Sequence, residues 1–280
     1  MEKVADLAHF SAQVKSVKTP GRKLLSNCYL LPDAIERYTR KGRMTWQSNA
    51  NGVIFLCEQS DFFHLFYYLN EPLNPQAVFS FAELQKPVVL DFVVLSGELS
   101  VSQKLLESYW SAVGFKFYKQ YSRYYLDFPA GERSELYKIK IDPNRYELGR
   151  VTLEEIPAVE ALWHAHLDPY SMALPAGEEM EELVRNGHVL CVRTKDGQIA
   201  AVTRPEIRGR TGTNWNLVVD PQHRGQGLAP ALKYVVYIEH PEVSRMYAWM
   251  DNDNAPMIAI DVAIGYQADG KVDRQFILMR

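Results

Sequence analysis

The chain has 280 residues, of which 47% are hydrophobic. Two domains of ordinary size with packed cores are therefore possible, and intrinsic disorder is disfavoured. The formal net charge of −3 provides no overall basic surface, which argues against nucleic acid and anionic membranes as main partners.

The three cysteines, Cys28, Cys57 and Cys191, form no C-x-x-C pair. Neither a disulfide framework nor a zinc site is predicted, and no metal is expected. The first ten residues alternate charged and apolar side chains, and no stretch reaches the roughly 18 apolar residues of a membrane span. We expect a cytoplasmic protein with reduced, buried cysteines, and we leave its oligomeric state open between monomer and homodimer.

Strands are predicted first along the chain, followed by a helix. Residues 52–69 contain two apolar runs separated by a polar turn and predict a hairpin, and residues 87–95 predict a central strand. Apolar side chains at helical spacing over residues 105–113 predict a helix that ends at Gly114. A pair of strands is expected to follow, up to Leu126.

The turn-forming stretch 128–134 predicts a border near its end, which gives two domains, residues 1–135 and 136–280. Strand, helix, glycine and further strands follow one another in residues 87–126 and again in residues 245–280. This order suggests an internal structural repeat.

The second half opens with two predicted helices, over residues 156–167 and 180–184, where apolar side chains recur at helical spacing. A hairpin is predicted next, over residues 188–208, because Asp196-Gly197 is a strong turn signal between two apolar runs.

The most informative motif is the run Leu217-Val-Val-Asp-Pro-Gln-His-Arg-Gly-Gln-Gly-Leu-Ala229, which predicts a strand, a glycine turn and a helix. Gly225 and Gly227 carry no side chains that would keep an anion from the main chain. A helix that begins near Gln226 presents unpaired N–H groups and the positive end of its dipole. The run therefore predicts a diphosphate site. Its spacing matches neither a nucleoside triphosphatase P-loop nor a dinucleotide fingerprint, but it fits Arg-x-x-Gly-x-Ala.

A second motif follows the glycine turn at a distance of about thirty residues. After a predicted strand comes Asn254-Ala-Pro-Met257, and then Gly265-Tyr266. Together with His223-Arg224-Gly225, this order resembles the GNAT superfamily of N-acetyltransferases, over residues 146–280. The resemblance implies a mixed α+β fold of the acyl-CoA N-acyltransferase type, with acetyl-CoA as co-substrate. The first half lacks this signature, so we expect either a degenerate GNAT-like domain in tandem or an unrelated α+β domain.

The resemblance also implies site residues. The opened edge of one strand would pair with the pantetheine arm, the glycine turn would hold the diphosphate, and the start of a later helix would lie beside the arm. The corresponding residues are Leu217, Val218 and Val219 for the edge, Arg224, Gly225, Gln226, Gly227, Leu228 and Ala229 for the turn, and Asn254 and Met257 for the helix start. The amide of Val218 is the candidate donor to the thioester oxygen.

Catalytic side chains are less well defined. An amine of pKa near 10.4 must lose a proton before it attacks, so a general base is useful. Asp251 is the first candidate, and Glu206 and His223 are weaker ones. Many relatives carry a tyrosine as general acid seven residues after the helix-start asparagine, where this chain has Asp261. An ionised aspartate cannot donate, so either its pKa is raised by burial or it orients the substrate.

The sequence favours an N-acetyltransferase that transfers acetyl directly, in a ternary complex, to a primary amine of a small molecule or peptide. The acceptor cleft is expected near aromatic side chains at Trp163, His166, Tyr170, Trp215 and Trp249. An inactive acetyl-CoA-binding sensor or assembly module is the main alternative. A structural tandem domain without a ligand is a third possibility, which the glycine turn disfavours.

Overall fold

A computed structural model describes residues 1–97, 99–128 and 141–280. Its contacts divide the chain into unit 1, residues Met1–Gln120 with Lys271–Arg280, and unit 2, residues Tyr121–Gly270. The border predicted near residue 135 lies outside the described residues. Within them, the chain enters unit 2 at Tyr121 and returns to unit 1 at Lys271.

The elements of the first part of the chain include the predicted hairpin, central strand and helix. In order they are β1 (Glu2–Lys3), α1 (Leu7–Ser16), β2 (Lys23–Ser26), α2 (Pro32–Arg40), β3 (Met44–Asn49), β4 (Gly52–Glu58), β5 (Phe63–Glu71), β6 (Val88–Leu95), α3 (Val101–Val113) and β7 (Lys116–Asp127).

The elements of the second part include the two predicted helices and the hairpin that follows them. In order they are β8 (Tyr146–Arg150), α4 (Ile156–His166), α5 (Glu178–Arg185), β9 (Leu190–Thr194), β10 (Ile199–Arg208), β11 (Thr211–Val219), α6 (Leu228–Glu239), β12 (Arg245–Asp251), α7 (Ala255–Ile264) and β13 (Gln267–Leu278). Short 3-10 helices precede α4 and α6.

In unit 1 the strand order is β1, β3, β4, β5, β6 and the part of β13 from Lys271 on. β5 and β6 are parallel, and the other neighbours in this order are antiparallel. β4 is buried on both faces: Ile54 packs in a core with α3, and Phe55 packs in a second core with α1 and α2. This explains its uninterrupted apolar run.

In unit 2 the order is β8, β9, β10, β11, β12 and the part of β7 from Tyr121 on. β11 and β12 are parallel, and the remaining pairs are antiparallel. One core contains Leu228 and Leu232 of α6, and a second contains Trp163 of α4 and Met180 of α5.

The last strand of the first half, β7, belongs to the sheet of unit 2, and the last strand of the second half, β13, belongs to the sheet of unit 1. β7 follows α3, yet its residues pair with β12 from Asp127↔Arg245 to Tyr121↔Asp251. β13 follows α7, yet it pairs with β6 from Lys271↔Leu95 onward. The expectation of two strands before Leu126 was wrong, because residues 116–127 contain no glycine, proline or asparagine and run as one strand.

The predicted structural repeat is present: each unit places a parallel strand pair before a helix, β5 and β6 before α3, and β11 and β12 before α7. Both helices end at a left-handed glycine, Gly114 and Gly265.

Cys57 and Cys191 are buried, while Cys28 is partly buried, and all three are free thiols. Burial raises the pKa of each, that of Cys191 to about 12, which favours the unreactive protonated form. No helix in the described ranges combines the length and hydropathy of a membrane span. Among the described residues, no three side chains of His, Cys, Asp or Glu are grouped so that they could hold a metal ion.

Candidate functional site

The two parallel strands of unit 2 separate after a short paired segment. β11 and β12 pair at Thr211↔Arg245, Gly212↔Met246 and Thr213↔Tyr247, and both strands lie wholly within the described residues. Beyond this point β11 continues along β10 as far as Val219, and β12 continues along β7. The facing edges of β11 and β12 therefore open toward the carboxyl ends of the strands, as the resemblance implies.

A bulge in β11 lies at the start of this opening. The register with β10 shifts between Val202 and Arg204, and Asn216 adopts a positive φ of 54°. Its carbonyl accepts from Trp163 Nε1 at 2.9 Å, and its Oδ1 accepts from Arg204 Nε at 3.2 Å. These contacts hold an uncommon backbone conformation next to the predicted cofactor edge.

Two asparagines of β11 were missed by the sequence analysis. Both side-chain polar atoms of Asn214 and the Nδ2 of Asn216 are buried, and no hydrogen-bond partner is found for them in the described part of the chain. Such atoms are costly unless a ligand or water satisfies them. The available signal was the occurrence of two strand-disfavoured asparagines in Thr213-Asn-Trp-Asn216.

The glycine turn joins the end of β11 to α6. Gly225 and Gly227 adopt φ values of 73° and 75°, and Gly227 is the N-cap of α6 without a side-chain cap. Across the described ranges, no acceptor is found for the main-chain N–H groups of Gly225 and of residues 227–229. A Cβ on Gly225 would meet no atom within 4 Å, so space lies open before these groups. The turn thus has the geometry of an anion site.

Basic side chains surround the turn. Arg145 Nη1 donates to Gln226 Oε1 at 3.0 Å, and Arg224 Nε lies 3.4 Å from the carbonyl of Val219. The ring of His223 hydrogen-bonds to the hydroxyl of Tyr146 at 3.1 Å. A cavity of about 320 Å³ beside the turn is lined by Arg145, Tyr146, Thr194, Lys195, Asp196 and His223.

Asp251 and Asn254 lie where β12 passes into α7. Asp251 is the last residue of β12, and its Oδ1 accepts from the amide of Asp253 at 3.0 Å. Asn254 caps α7, since its Oδ1 accepts from the amide of Met257 at 3.3 Å. The helix start expected at Asn254 is confirmed, and Asp251 lies at the opened end of its strand.

Asp261 does not have the exposure that a general acid needs. Its side chain is fully buried and forms an ion pair with Lys233 of α6, which is also buried. Burial raises the pKa of Asp261 and lowers the pKa of Lys233, and the attraction between them opposes both shifts. Since the carboxylate reaches no solvent, the structure gives it a structural position between two helices.

The weaker base candidates are also engaged. Trp215 Nε1 donates to Glu206 Oε2 and Arg208 Nε donates to Glu206 Oε1, both at 2.8 Å. Burial acts to raise the pKa of Glu206, but these hydrogen bonds outweigh it and hold the pKa below its ordinary value. A low pKa makes Glu206 a poorer base than an unperturbed carboxylate.

The side chains expected near the acceptor cleft lie in different surroundings. Trp215 and Trp249 each lie two residues beyond the last paired residue of β11 and β12, so they flank the opening. Trp163 is buried in the core and does not line a cleft. His166 of α4 lines a different cavity, of about 540 Å³.

Comparison with known proteins agrees with this geometry. Residues 156–260 match the family model of the acetyltransferase (GNAT) family. No curated protein matches the sequence.

Three solved structures illustrate the fold. A tandem GNAT protein from the clavulanic acid biosynthesis pathway, solved without acetyl-CoA, is 15% identical over 85% of this chain and 83% of its own, with a TM-score of 0.51. A GCN5-related N-acetyltransferase from Sphaerobacter thermophilus is 12% identical over 81% and 77%, with a TM-score of 0.53. A GCN5-related N-acetyltransferase from Kribbella flavida is 14% identical over 83% and 88%, with a TM-score of 0.51.

At these identities the structural similarity concerns the fold, while the family match identifies the domain in the sequence. The chain therefore carries a GNAT-family acetyltransferase domain, matched over residues 156–260, in an α+β fold shared with a tandem GNAT protein.

Proposed function

We propose that unit 2 binds acetyl-CoA and transfers its acetyl group to a primary amine of a small molecule or peptide. The main support is one observation: the unpaired amides of Gly225 and residues 227–229 follow the end of β11, a strand that has already separated from β12 beyond Thr213. A diphosphate at the turn would place the pantetheine arm along the free strand edges, which can pair with its amide groups.

In this proposal, main-chain N–H groups and Arg224 hold the diphosphate. The edge from Leu217 to Val219 pairs with the arm, and the Val218 amide donates to the thioester oxygen. The side chains of these three residues pack in the cores of unit 2, so their contribution to binding is made by the main chain.

Transfer then needs two proton movements. Asp251 accepts a proton from the acceptor ammonium group, directly or through water, and the neutral nitrogen attacks the thioester carbon. The oxyanion that forms is stabilised by main-chain N–H donors, and the carbon–sulfur bond breaks with the electron pair on sulfur. The attacking nitrogen releases its second proton through water to the leaving thiolate, whose thiol has a pKa of about 8.5, so a dedicated acid is not essential. The proposal therefore assigns no proton transfer to Asp261, which is buried and paired with Lys233.

One observation favours the alternative of an acetyl-CoA-binding module without turnover. The position of the usual tyrosine acid is filled by Asp261, which is paired with Lys233. A binding module would retain affinity for acetyl-CoA and release no CoA with any amine.

Calorimetry with a matched pair of glycine variants tests the binding site. Gly225 and Gly209 both have positive φ and open space at the Cβ position. Gly225→Glu places a negative charge beside the diphosphate, whereas Gly209→Glu places it in the turn between β10 and β11. We expect acetyl-CoA affinity to fall at least about tenfold, or 1.4 kcal/mol, in Gly225→Glu alone. Equal affinity in both variants would contradict the assigned cradle.

Turnover is tested by CoA release over a panel of primary amines. We expect Asp251→Asn to lower kcat/KM at neutral pH by about 10²-fold or more while acetyl-CoA affinity is unchanged. Binding without CoA release from any amine would favour the module over the enzyme.

A further inference from the structure

Unit 1 contains a strand opening like that of unit 2. β5 and β6 are parallel and pair at Phe63↔Val88, His64↔Val89 and Leu65↔Leu90. β5 then continues to Glu71 and β6 continues to Leu95, both within the described residues. By internal geometry, this is the place in unit 1 that corresponds to the predicted cofactor gap of unit 2.

The opening in unit 1 is occupied by residues 23–27 of the same chain. β2 pairs antiparallel with the edge of β5, from Ser26↔Tyr68 to Lys23↔Glu71. The main-chain groups that a pantetheine arm would need along this edge are therefore already used.

Asn27 closes the opening at its narrow end. Its Nδ2 donates to the carbonyl of Leu65 in β5 at 3.0 Å and to the carbonyl of Asp91 in β6 at 2.8 Å. Its Oδ1 accepts from the amide of Tyr67 at 2.8 Å. One side-chain amide thus bridges both strands, with the same donor and acceptor groups that an amide of pantetheine would offer.

Packing and charge hold this segment in place. Leu25 is 7% exposed and belongs to the core formed with α3. Lys23 Nζ lies 3.9 Å from Glu71 Oε2 and donates to Ser102 Oγ at 3.1 Å, and Ser102 in turn donates to Glu71 Oε1 at 2.8 Å. Removing the segment would expose apolar surface and leave several main-chain groups unpaired.

The diphosphate cradle has no counterpart in unit 1. Residues 72–87, which the structure describes throughout, connect β5 to β6 without a helix. Phe79 and Phe81 of this connection are buried against α3. No helix N-terminus is therefore presented at the end of β5, in contrast to the end of β11.

We propose that residues 23–27 act as an internal substitute for the cofactor arm, so that unit 1 binds no acyl-CoA and each chain binds one, in unit 2. The count of one rests on the proposed function of unit 2, whereas the closed state of unit 1 does not.

Calorimetry of the full chain with acetyl-CoA separates the two statements. The inference is supported if the wild type binds one acetyl-CoA per chain, if Gly225→Glu weakens this binding, and if no other site is found in the variant. No binding at all rejects the proposed function and still agrees with a closed unit 1. Two sites per chain, or an unchanged site in Gly225→Glu, would overturn the inference.

Hydrogen–deuterium exchange locates the ligand in the same samples. We expect acetyl-CoA to slow exchange in residues 217–229 and to leave residues 63–71 and 88–95 unchanged. Slowed exchange within β5 or β6 would place acetyl-CoA in unit 1 and overturn the inference.

Asn27→Leu tests the bridging role directly, because leucine has similar size and no hydrogen-bonding group. Compared with Gln85→Ala, an exposed change in the same unit, it should lower Tm and speed exchange at the Tyr67 amide while acetyl-CoA affinity stays unchanged. Unaltered exchange at Tyr67 would show that Asn27 does not close the gap. If the variant does not fold, the wild-type stoichiometry still decides.

Discussion

Lys233 and Asp261 form an ion pair in the core of unit 2, with exposed fractions of 2% and 0%. Breaking a buried pair leaves one charge without compensation, whereas replacing both partners by apolar side chains is often nearly neutral. We expect Asp261→Asn to cost about 3–5 kcal/mol in free energy of unfolding, and Lys233→Met with Asp261→Leu to recover most of it. Urea denaturation of the wild type, the single variant and the double variant measures this, and a double variant no more stable than Asp261→Asn would contradict it.

The double variant also separates structure from chemistry. If it folds and binds acetyl-CoA, loss of CoA release would show that Asp261 takes part in transfer. We expect CoA release to be retained, since the carboxylate is buried against Lys233.

Glu155 and Arg193 form a mostly buried pair in unit 2, 20% and 17% exposed. The hydrogen bonds from Arg193 hold the pKa of Glu155 below its ordinary value near 4.5. A lowered folded-state pKa stabilises the fold above the unfolded-state value, and this stability is lost as pH falls through the folded-state value. We expect Glu155→Gln to cost about 1–3 kcal/mol at pH 7, with the difference shrinking as pH falls below the ordinary value near 4.5 and through the lowered pKa.

The effect is measured by unfolding the wild type and Glu155→Gln at a series of pH values from 7 downward. Glu181→Gln is the matched control, because its pair with Arg185 is more than half exposed on both sides. Exposed pairs contribute little, so its difference should stay small at every pH. A pH-independent loss in Glu155→Gln would indicate a packing effect instead.

At the scale of the element, Asn254 sets the start of α7. Its Oδ1 accepts from the amide of Met257. Pro256 lies in the first turn of α7, where a main-chain N–H has no acceptor within the helix, so the absence of this group in proline costs no hydrogen bond. We expect Asn254→Ala to cost about 1 kcal/mol of stability, and Asn254→Asp to cost little because it retains an acceptor. Thermal unfolding measures both. Equal losses would show that the amide nitrogen, rather than the cap, is important.

The elements that the sequence predicted well have local signals. The cap at Asn254, the turn at Asp196-Gly197 and the glycines before α6 depend on residues a few positions apart, so each can be read from a short segment. The bulge at Asn216 is held by Trp163, 53 residues away, and Lys233 pairs with Asp261, 28 residues away. Local patterns do not determine such contacts, and both were missed.

At the scale of the whole molecule, the exchange of last strands limits how the chain can be divided. A fragment of residues 136–280 would lack β7 and leave the edge of β12 unpaired from Arg245 to Asp251. Unpaired edges of this length favour aggregation. We expect this fragment to associate or remain unfolded, whereas residues 121–270 retain every strand pair of unit 2. Size-exclusion chromatography and two-dimensional NMR compare them. A monomeric, cooperatively folded 136–280 fragment would contradict this view.

The exchange was not predictable from periodicity. β7 and β13 both mix polar and apolar residues and both follow a helix that ends in glycine, so their sequences fit either parallel pair. The choice of partner strand is made by long-range packing. The sequence analysis therefore predicted the repeat and the glycine turn, but it placed the border by turn composition alone.

The placement of Lys271–Arg280 in unit 1 has a consequence for biosynthesis. A ribosome makes these ten residues after all of unit 2, so until then the edge of β6 that pairs with β13 has no partner strand. Amino-terminal domains generally fold while the rest of the chain is being synthesised, but unit 1 cannot complete its sheet in this way. The amino-terminal unit is therefore completed after the carboxyl-terminal one, because its sheet needs Lys271–Arg280 whereas unit 2 is complete at Gly270.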